Sequence, residues 1–219
     1  ARTRSTRLPR KVLEKVNGET IIQILIKKAL KITKVDEVII ATSIKPNDDI
    51  IEKCAKENNV ICFRGSEENV LQRYVDAAKL YNLDVIIRLT ADCPLLSSKL
   101  LNETLNKYLE FKNKPDYFYI EGYPNGLGAI EIISKKGLLK AGKLAKSKYD
   151  KEHVMPFIVN NHDLFNVKII KANEKYFRPE LRVCVDTFED LNVVRKISKF
   201  FNSTEIEVDD LIKFLDENS

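Results

Sequence analysis

The 219-residue chain predicts an α/β domain whose sheet is mostly parallel in its first half and mixed in its second. Three observations carry this reading. Strand-length apolar segments alternate with helix-length amphipathic ones as far as residue 111. The early strand segments are continuous β-branched runs, as strands buried on both faces are. Beyond residue 116, strand-like segments flank a glycine-rich turn, which suits mixed directions. With 44% hydrophobic and 32% charged residues and no repeat or linker, a single domain over residues 1–219 is expected.

The elements follow in order. "ETIIQILIKKALKIT" places Ile21, Ile22, Leu25, Ala29 and Leu30 on one helical face. "EVIIATS" (37–43) reads as a buried parallel strand, and "NDDIIEKCAKENN" (47–59) as an amphipathic helix capped by Asn47 or Asp48. "VICF" (60–63) is a strand, and "ENVLQRYVDAAKLYN" (68–82) a helix with Val70, Leu71, Tyr74 and Ala78 inward. "DVIIRLTAD" (84–92) is a strand ended by Pro94, and "SSKLLNETLNKYLEF" (97–111) a serine-capped helix. Strands at 116–120 and 129–134 surround "GYPNGLG"; helices over 135–147 and 150–161, strands at 165–170 and 182–186, and helices over 187–201 and 207–217 complete the chain.

Composition excludes several classes. The net charge is +5, and the first eleven residues alone hold Arg2, Arg4, Arg7, Arg10 and Lys11. The near-balanced remainder argues against a nucleic-acid partner. There is no apolar run of about 18 residues and no apolar secretory core near the start, so no membrane partner and a cytoplasmic location are expected. Cys54, Cys62, Cys93 and Cys184 lack CxxC spacing, which favours buried thiols over disulfides or zinc.

Ligands of open α/β sheets bind at the carboxyl ends of strands, which singles out Thr42, Ser43, Arg64, Gly65 and Thr90 to Asp92. The opening "ARTRSTRLPRK" suits a polyphosphate: arginine forks grip phosphate oxygens, Lys11 adds a point charge, and Ser5 and Thr6 donate. A solvated tail is the alternative, but the segment runs straight into "VLEKVNGETII", which ties it to the domain. Asp92, just before Cys93 and Pro94, is placed to bind Mg²⁺; a turn-capping role is the alternative. Asp186 follows "RVCV" in the same way, with helix N-capping an equal alternative. For Arg88, inside a strand, burial beside a carboxylate is the plainer reading. His162 reads as exposed.

The chain also resembles the spore coat polysaccharide biosynthesis F-type cytidylyltransferases, kin of the CMP-sialic acid and CMP-Kdo synthetases. The likeness rests on "ARTRSTRLPRK", "FRGSEENVLQRY" (63–74), "IIRLTADCPLL" (86–96), "DKEHVMPFI" (150–158) and "LRVCVDTFEDL" (181–191), in that order over nearly the whole chain. It implies a glycosyltransferase-A-like (nucleotide-diphospho-sugar transferase) three-layer sandwich. It also implies transfer of CMP from CTP to an acidic or phosphorylated sugar-like acceptor, with release of pyrophosphate, in surface polysaccharide or glycan precursor synthesis.

By resemblance, Arg2, Arg7, Lys11 and Asp92 are catalytic, and Asp92 and Asp186 share Mg²⁺. The nucleotide is expected to contact Ala1, Arg2, Ser5, Thr6, Arg7, Lys11, Thr42, Arg64, Gly65, Arg73, Thr90 and Asp92. Arg64 and Gly65 would reach the cytosine ring; Arg73 reads equally as a surface arginine. Glu131, Glu152 and His153 are the acceptor-side candidates, although a helix-borne histidine is more often structural. A homodimer is expected, with "GYPNGLG" and the adjacent strands as its contacts. In the family a strand precedes the basic loop, so a first strand upstream of Ala1 is expected to be missing from this sequence, whose only methionine is Met155.

The sequence also departs from the family. Arg4 and Arg10 stand where glycine is usual, Asn69 replaces an acid, and the 124–131 turn has altered spacing, which points to altered acceptor recognition. A glycosyltransferase using a nucleotide-sugar donor and a non-catalytic nucleotide- or nucleic-acid-binding protein are the alternatives.

Overall fold

A computed structural model describes residues 1–128 and 130–218. The basic segment ends in a 3-10 turn at Lys11–Leu13. Strands β1 (Lys15–Val16) and β2 (Glu19–Thr20) then form an antiparallel hairpin that periodicity did not signal. Its turn is Asn17–Gly18, both at positive φ, the pairing that two-residue hairpins demand. Thr20 opens α1 (Ile21–Leu30) with a capping box to Gln23. There follow β3 (Ile39–Ser43), α2 (Asp49–Glu57), β4 (Ile61–Gly65), α3 (Val70–Leu80), β5 (Val85–Arg88) and α4 (Ser98–Glu110). The second half contains β6 (Tyr117–Glu121), β7 (Glu131–Ser134), α5 (Lys135–Leu144), α6 (Lys148–His153), α7 (Pro156–Val159), β8 (Val167–Lys171), α8 (Phe188–Phe200) and α9 (Val208–Asn218). The strand expected over 129–134 is observed from Glu131; Ile130 precedes it outside regular structure, and Ala129 lies outside the described residues.

The fold is the expected α/β sandwich, and the pairing refines it. β3 and β4 form a parallel pair, while β5, β7, β6 and β8 form a mixed sheet in that order. β5 runs antiparallel to β7, β7 antiparallel to β6, and β6 parallel to β8. Among the described residues no ladder joins β3 to β5; Ile39–Ala41 and Val85–Ile87 instead line a common apolar cavity of about 490 Å³ with α1. The 182–186 segment is not a regular strand. It is extended, bridging Asn125 through Arg182 and donating from Val185 N to Asp92 O at 2.7 Å.

Strand alternation splits the core into two layers. Phe118, Ile120 and Ile132 pack with residues of α4, α8 and α9 on one face. Tyr117, Ile133 and Ile86 pack with α3, α5 and α7 on the other. Burying each large apolar side chain on these faces contributes about 1.5–3 kcal/mol. Within "GYPNGLG", Pro124, Gly126, Leu127 and Gly128 are buried, Gly122 and Tyr123 are half-buried and Asn125 is exposed. Gly126 has φ +95, and a Cβ there would meet Cys184 Sγ at 2.7 Å.

α1 carries a buried lysine. Lys28 donates to Leu96 O at 2.7 Å and Thr204 O at 2.8 Å, and Glu205 lies 3.5 Å away. Burial outweighs the pull of Glu205 and lowers its pKa to about 8. An unfolded lysine titrates near about 10.4. The unfolded state therefore binds more protons between these values, and this group's contribution to stability rises with pH across that window. The unfolding free energy of wild type minus that of Lys28→Met is expected to increase from pH 8 to pH 10 in urea titrations; a flat difference would contradict the buried, depressed lysine.

Candidate active site

The N-terminal loop packs over the ends of β3 and β5 and meets residues from the far end of the chain. Its backbone closes on itself, with Arg10 N donating to Thr3 O at 2.9 Å. Ala1 N donates to Ala41 O at 2.9 Å, alongside β3. Thr3 is pinned by Asp48, whose Oδ1 accepts from Thr3 N and Thr3 Oγ1, each at 2.7 Å. Arg4, Thr6, Arg7 and Arg10 remain exposed.

Lys11 is the centre of the cluster. Its Nζ donates to Val185 O at 2.9 Å and Asp186 Oδ1 at 3.1 Å, and lies 3.6 Å from Asp92 Oδ2. Arg7 pairs with Asp186 at 2.9 Å, and Arg182 pairs with the other Asp186 oxygen. Burial alone would raise the Asp186 carboxyl; the Lys11 hydrogen bond and charge, with Arg7 and Arg182, hold it below its usual value. Arg7, Lys11, Asp92 and Asp186 thus converge from three distant segments.

Helix capping does not occupy Asp186. Thr187 caps α8 in a capping box with Asp190, and Asp190 Oδ2 accepts from both Asp186 N and Thr187 N. Behind the two aspartates lie Cys93 and Cys184, free thiols with sulfurs 3.4 Å apart. The hydrogen bond to Cys184 and burial push the Cys93 thiol up. Thr90 Oγ1 contacts Cys93 Sγ at 3.5 Å.

Arg2 turns toward a different part of the cleft. It donates to Glu67 O at 2.9 Å and pairs with Glu152 Oε1 of α6 at 3.0 Å. Glu152 is therefore joined to the basic loop. His153, at the end of α6, is exposed with its ring 4.5 Å from that of Tyr149, and His162 is exposed. Glu131 is directly opposite Arg88 in the β5–β7 register and pairs with it, and Tyr117 Oη donates to Glu131 at 3.3 Å. Burial, then the Glu131 charge, drives the Tyr117 phenol far up.

Several expected base contacts face elsewhere. Thr42 is fully buried and donates to Asp48 Oδ2 at 3.1 Å. Arg64 spends its guanidinium on the β3–α2 turn: Nε reaches Ser43 O at 3.0 Å, one terminal nitrogen Lys45 O at 2.9 Å and Asp49 at 2.7 Å, the other Glu52 at 2.6 Å. Gly65 closes the β3–β4 ladder opposite Ser43. Arg73 is buried, not a surface residue; it donates to Ser66 O at 2.9 Å while its Nε has no partner among the described residues, and burial pushes its guanidinium pKa down. Ser5 Oγ only faces Leu8 N at 3.4 Å, and Thr6 is exposed. Asn69 caps α3 by accepting from Gln72 N at 2.9 Å, a duty that needs no charge.

Asp92 and Asp186 offer the oxygen donors that Mg²⁺ prefers. Both carboxylates reach one cationic nitrogen, and all donors are oxygen. Among the described residues no group of three or more His, Cys, Asp or Glu side chains converges. Mg²⁺ sites that use one or two carboxylates and complete their shell with water and substrate phosphate fit this arrangement. The sequence marks Asp48 only as a candidate helix cap and leaves its part in the loop unread; the cue was the hydroxyl pair Thr42–Ser43 closing an apolar strand, with the acid following the turn over 44–47.

Comparison with known proteins bears on the fold and the chemistry. A sequence profile described as Cytidylyltransferase matches residues 1–214. An uncharacterized protein of Methanocaldococcus jannaschii is 38% identical over 218 residues, covering all of this chain and 88% of its own length. Spore coat polysaccharide biosynthesis protein SpsF of Bacillus subtilis is 33% identical over 224 residues, covering 100% and 92%. The solved structure of a cytidylyltransferase from Leptospira borgpetersenii serovar Hardjo-bovis superposes with a TM-score of 0.89 at 32% identity, covering 99% of this chain and 91% of that one.

Arg10 adopts φ 60, a left-handed conformation that costs a residue with a side chain about 1–2 kcal/mol relative to glycine. Its guanidinium forms no hydrogen bond or ion pair among the described residues. Arg10→Gly is expected to hold or raise the melting temperature, whereas Arg10→Val, β-branched, lowers it; the reverse order would contradict the loop's backbone path.

Proposed function

Since the chain belongs to the cytidylyltransferase family, we propose that this cleft transfers CMP from CTP to an acidic or phosphorylated sugar-like acceptor and releases pyrophosphate. The observation that carries this reading is the placement of Lys11 and Arg7 against Asp92 and Asp186. A cationic loop facing a carboxylate pair is the arrangement a triphosphate and a hard cation require together.

The acceptor oxygen attacks the α-phosphorus, and the bond to the β-phosphate oxygen breaks in line. The protein's contribution is positioning and charge neutralisation. Lys11 and Arg7 take the negative charge that builds on the departing pyrophosphate. Asp92 and Asp186 would hold Mg²⁺, which when bound neutralises phosphate charge. Arg2 bridges the loop to Glu152, which stands on the acceptor side of the cleft in this reading. Arg88, Glu131 and Tyr117 form a fixed polar wall there. An anionic acceptor needs no general base; a hydroxyl acceptor would use Glu152 or His153. The SpsF relative supports a role in surface polysaccharide synthesis.

A pyrophosphate-release assay across acidic and phosphorylated sugars, with CTP, ATP, GTP and UTP, tests the proposal. CTP-dependent release is expected with at least one acceptor; release of a nucleoside diphosphate from a nucleotide-sugar would overturn it in favour of glycosyl transfer. Asp92→Asn is expected to lower turnover by about 10²-fold or more with an unchanged melting temperature; full activity would remove Asp92 from the site.

A further inference from the structure

Asp48 is buried to 2% exposure yet forms no ion pair among the described residues. It sits at the N-cap position of α2 but makes no side-chain bond to that helix. Both carboxylate oxygens are committed elsewhere. Oδ1 takes Thr3 N and Thr3 Oγ1, and Oδ2 takes Thr42 Oγ1, Ser43 N and Ser43 Oγ. Burial would raise this carboxyl, and the hydrogen bonds from Ser43, Thr3 and Thr42 bring it below its ordinary value. It is therefore an anion at neutral pH, held by dipoles rather than by a cation.

The geometry points to Asp48 as the positioning residue of the triphosphate loop, acting through Thr3; this inference rests on the proposed function above. Thr3 is the joint. Its N–H and hydroxyl go to Asp48, and its carbonyl accepts Arg10 N, which closes the loop one residue before Lys11. The carboxylate thereby transmits the rigid end of β3 to the residue that sets the direction of the Lys11 side chain. The exposed Arg4, Thr6, Arg7, Pro9 and Arg10 give the loop little packing of its own. Without this anchor the loop keeps its charges but loses its single arrangement. Apparent affinity then falls with the fraction of molecules in the binding-competent form. The loss falls on the terminal phosphates and spares the nucleoside and α-phosphate.

This selectivity separates positioning from a general structural role. The measurement is isothermal titration of CTP and CMP against wild type, Asp48→Asn, Thr3→Val and Thr3→Ser, with melting temperatures in parallel. The wild type is expected to prefer CTP. Asp48→Asn is expected to weaken CTP about tenfold and CMP less than about threefold. Thr3→Val, which loses the hydroxyl and keeps the N–H, follows in the same direction, and Thr3→Ser, which restores the hydroxyl, keeps the wild-type preference. Should Asp48→Asn not fold, the Thr3 pair decides alone. Folded variants that keep the wild-type preference, or lose CTP and CMP affinity equally, overturn the inference. A wild type that binds CTP no better than CMP removes the triphosphate assignment itself, and the anchoring proposal falls with it.

Discussion

One ammonium group holds the site together. Lys11 Nζ reaches Asp186 across 175 residues of sequence and Asp92 from a third segment. Two carboxylates brought this close repel each other unless a cation lies between them. The lysine supplies that cation, and the Val185 carbonyl fixes where it sits. The extended backbone from Leu181 to Asp186 serves the same end. It is tied to Asn125 on one side and to Asp92 on the other, which brings the second aspartate to the first.

All the cations of the loop but Arg10 are already compensated before any ligand arrives. Arg2 rests on Glu152, Arg4 near Glu67, Arg7 on Asp186 and Lys11 on both aspartates. The arginine pairs are partly exposed, so each is a modest interaction that phosphate oxygens can replace. Asp48 differs because it is buried and makes no ion pair among the described residues. The site thus combines a fixed carboxylate underneath with exchangeable pairs on top, a division suited to binding and releasing a polyanion.

Much of this was legible in the sequence. Helix faces such as Ile21, Leu25 and Ala29, and the serine cap of α4, follow from local periodicity and capping chemistry, whereas Leu30, expected on that same face, is exposed at the end of α1. The meeting of Arg7, Lys11, Asp92 and Asp186 was legible because each lies in a segment with its own recognisable pattern. What escaped depends on long-range register. Arg64 reads as a ligand residue because it ends a strand, yet its partners Asp49 and Glu52 come within reach only when α2 packs beside β4. Arg88 finds Glu131 because β5 pairs antiparallel with β7, a pairing no local pattern encodes. Asp48 reads as a helix cap, and only the folded loop shows that Thr3 claims it. Asn17–Gly18 is different. Its hairpin signal was present and was masked by the two-residue length of the flanking strands.

The most direct test of the central claim is a crystal structure with CTP bound. The β- and γ-phosphate oxygens are expected within hydrogen-bond distance of Lys11 Nζ and the Arg7 guanidinium, with Asp92 and Asp186 beside the α-phosphate. A triphosphate bound elsewhere, with Lys11 still seated on Asp186 and Val185, would contradict it.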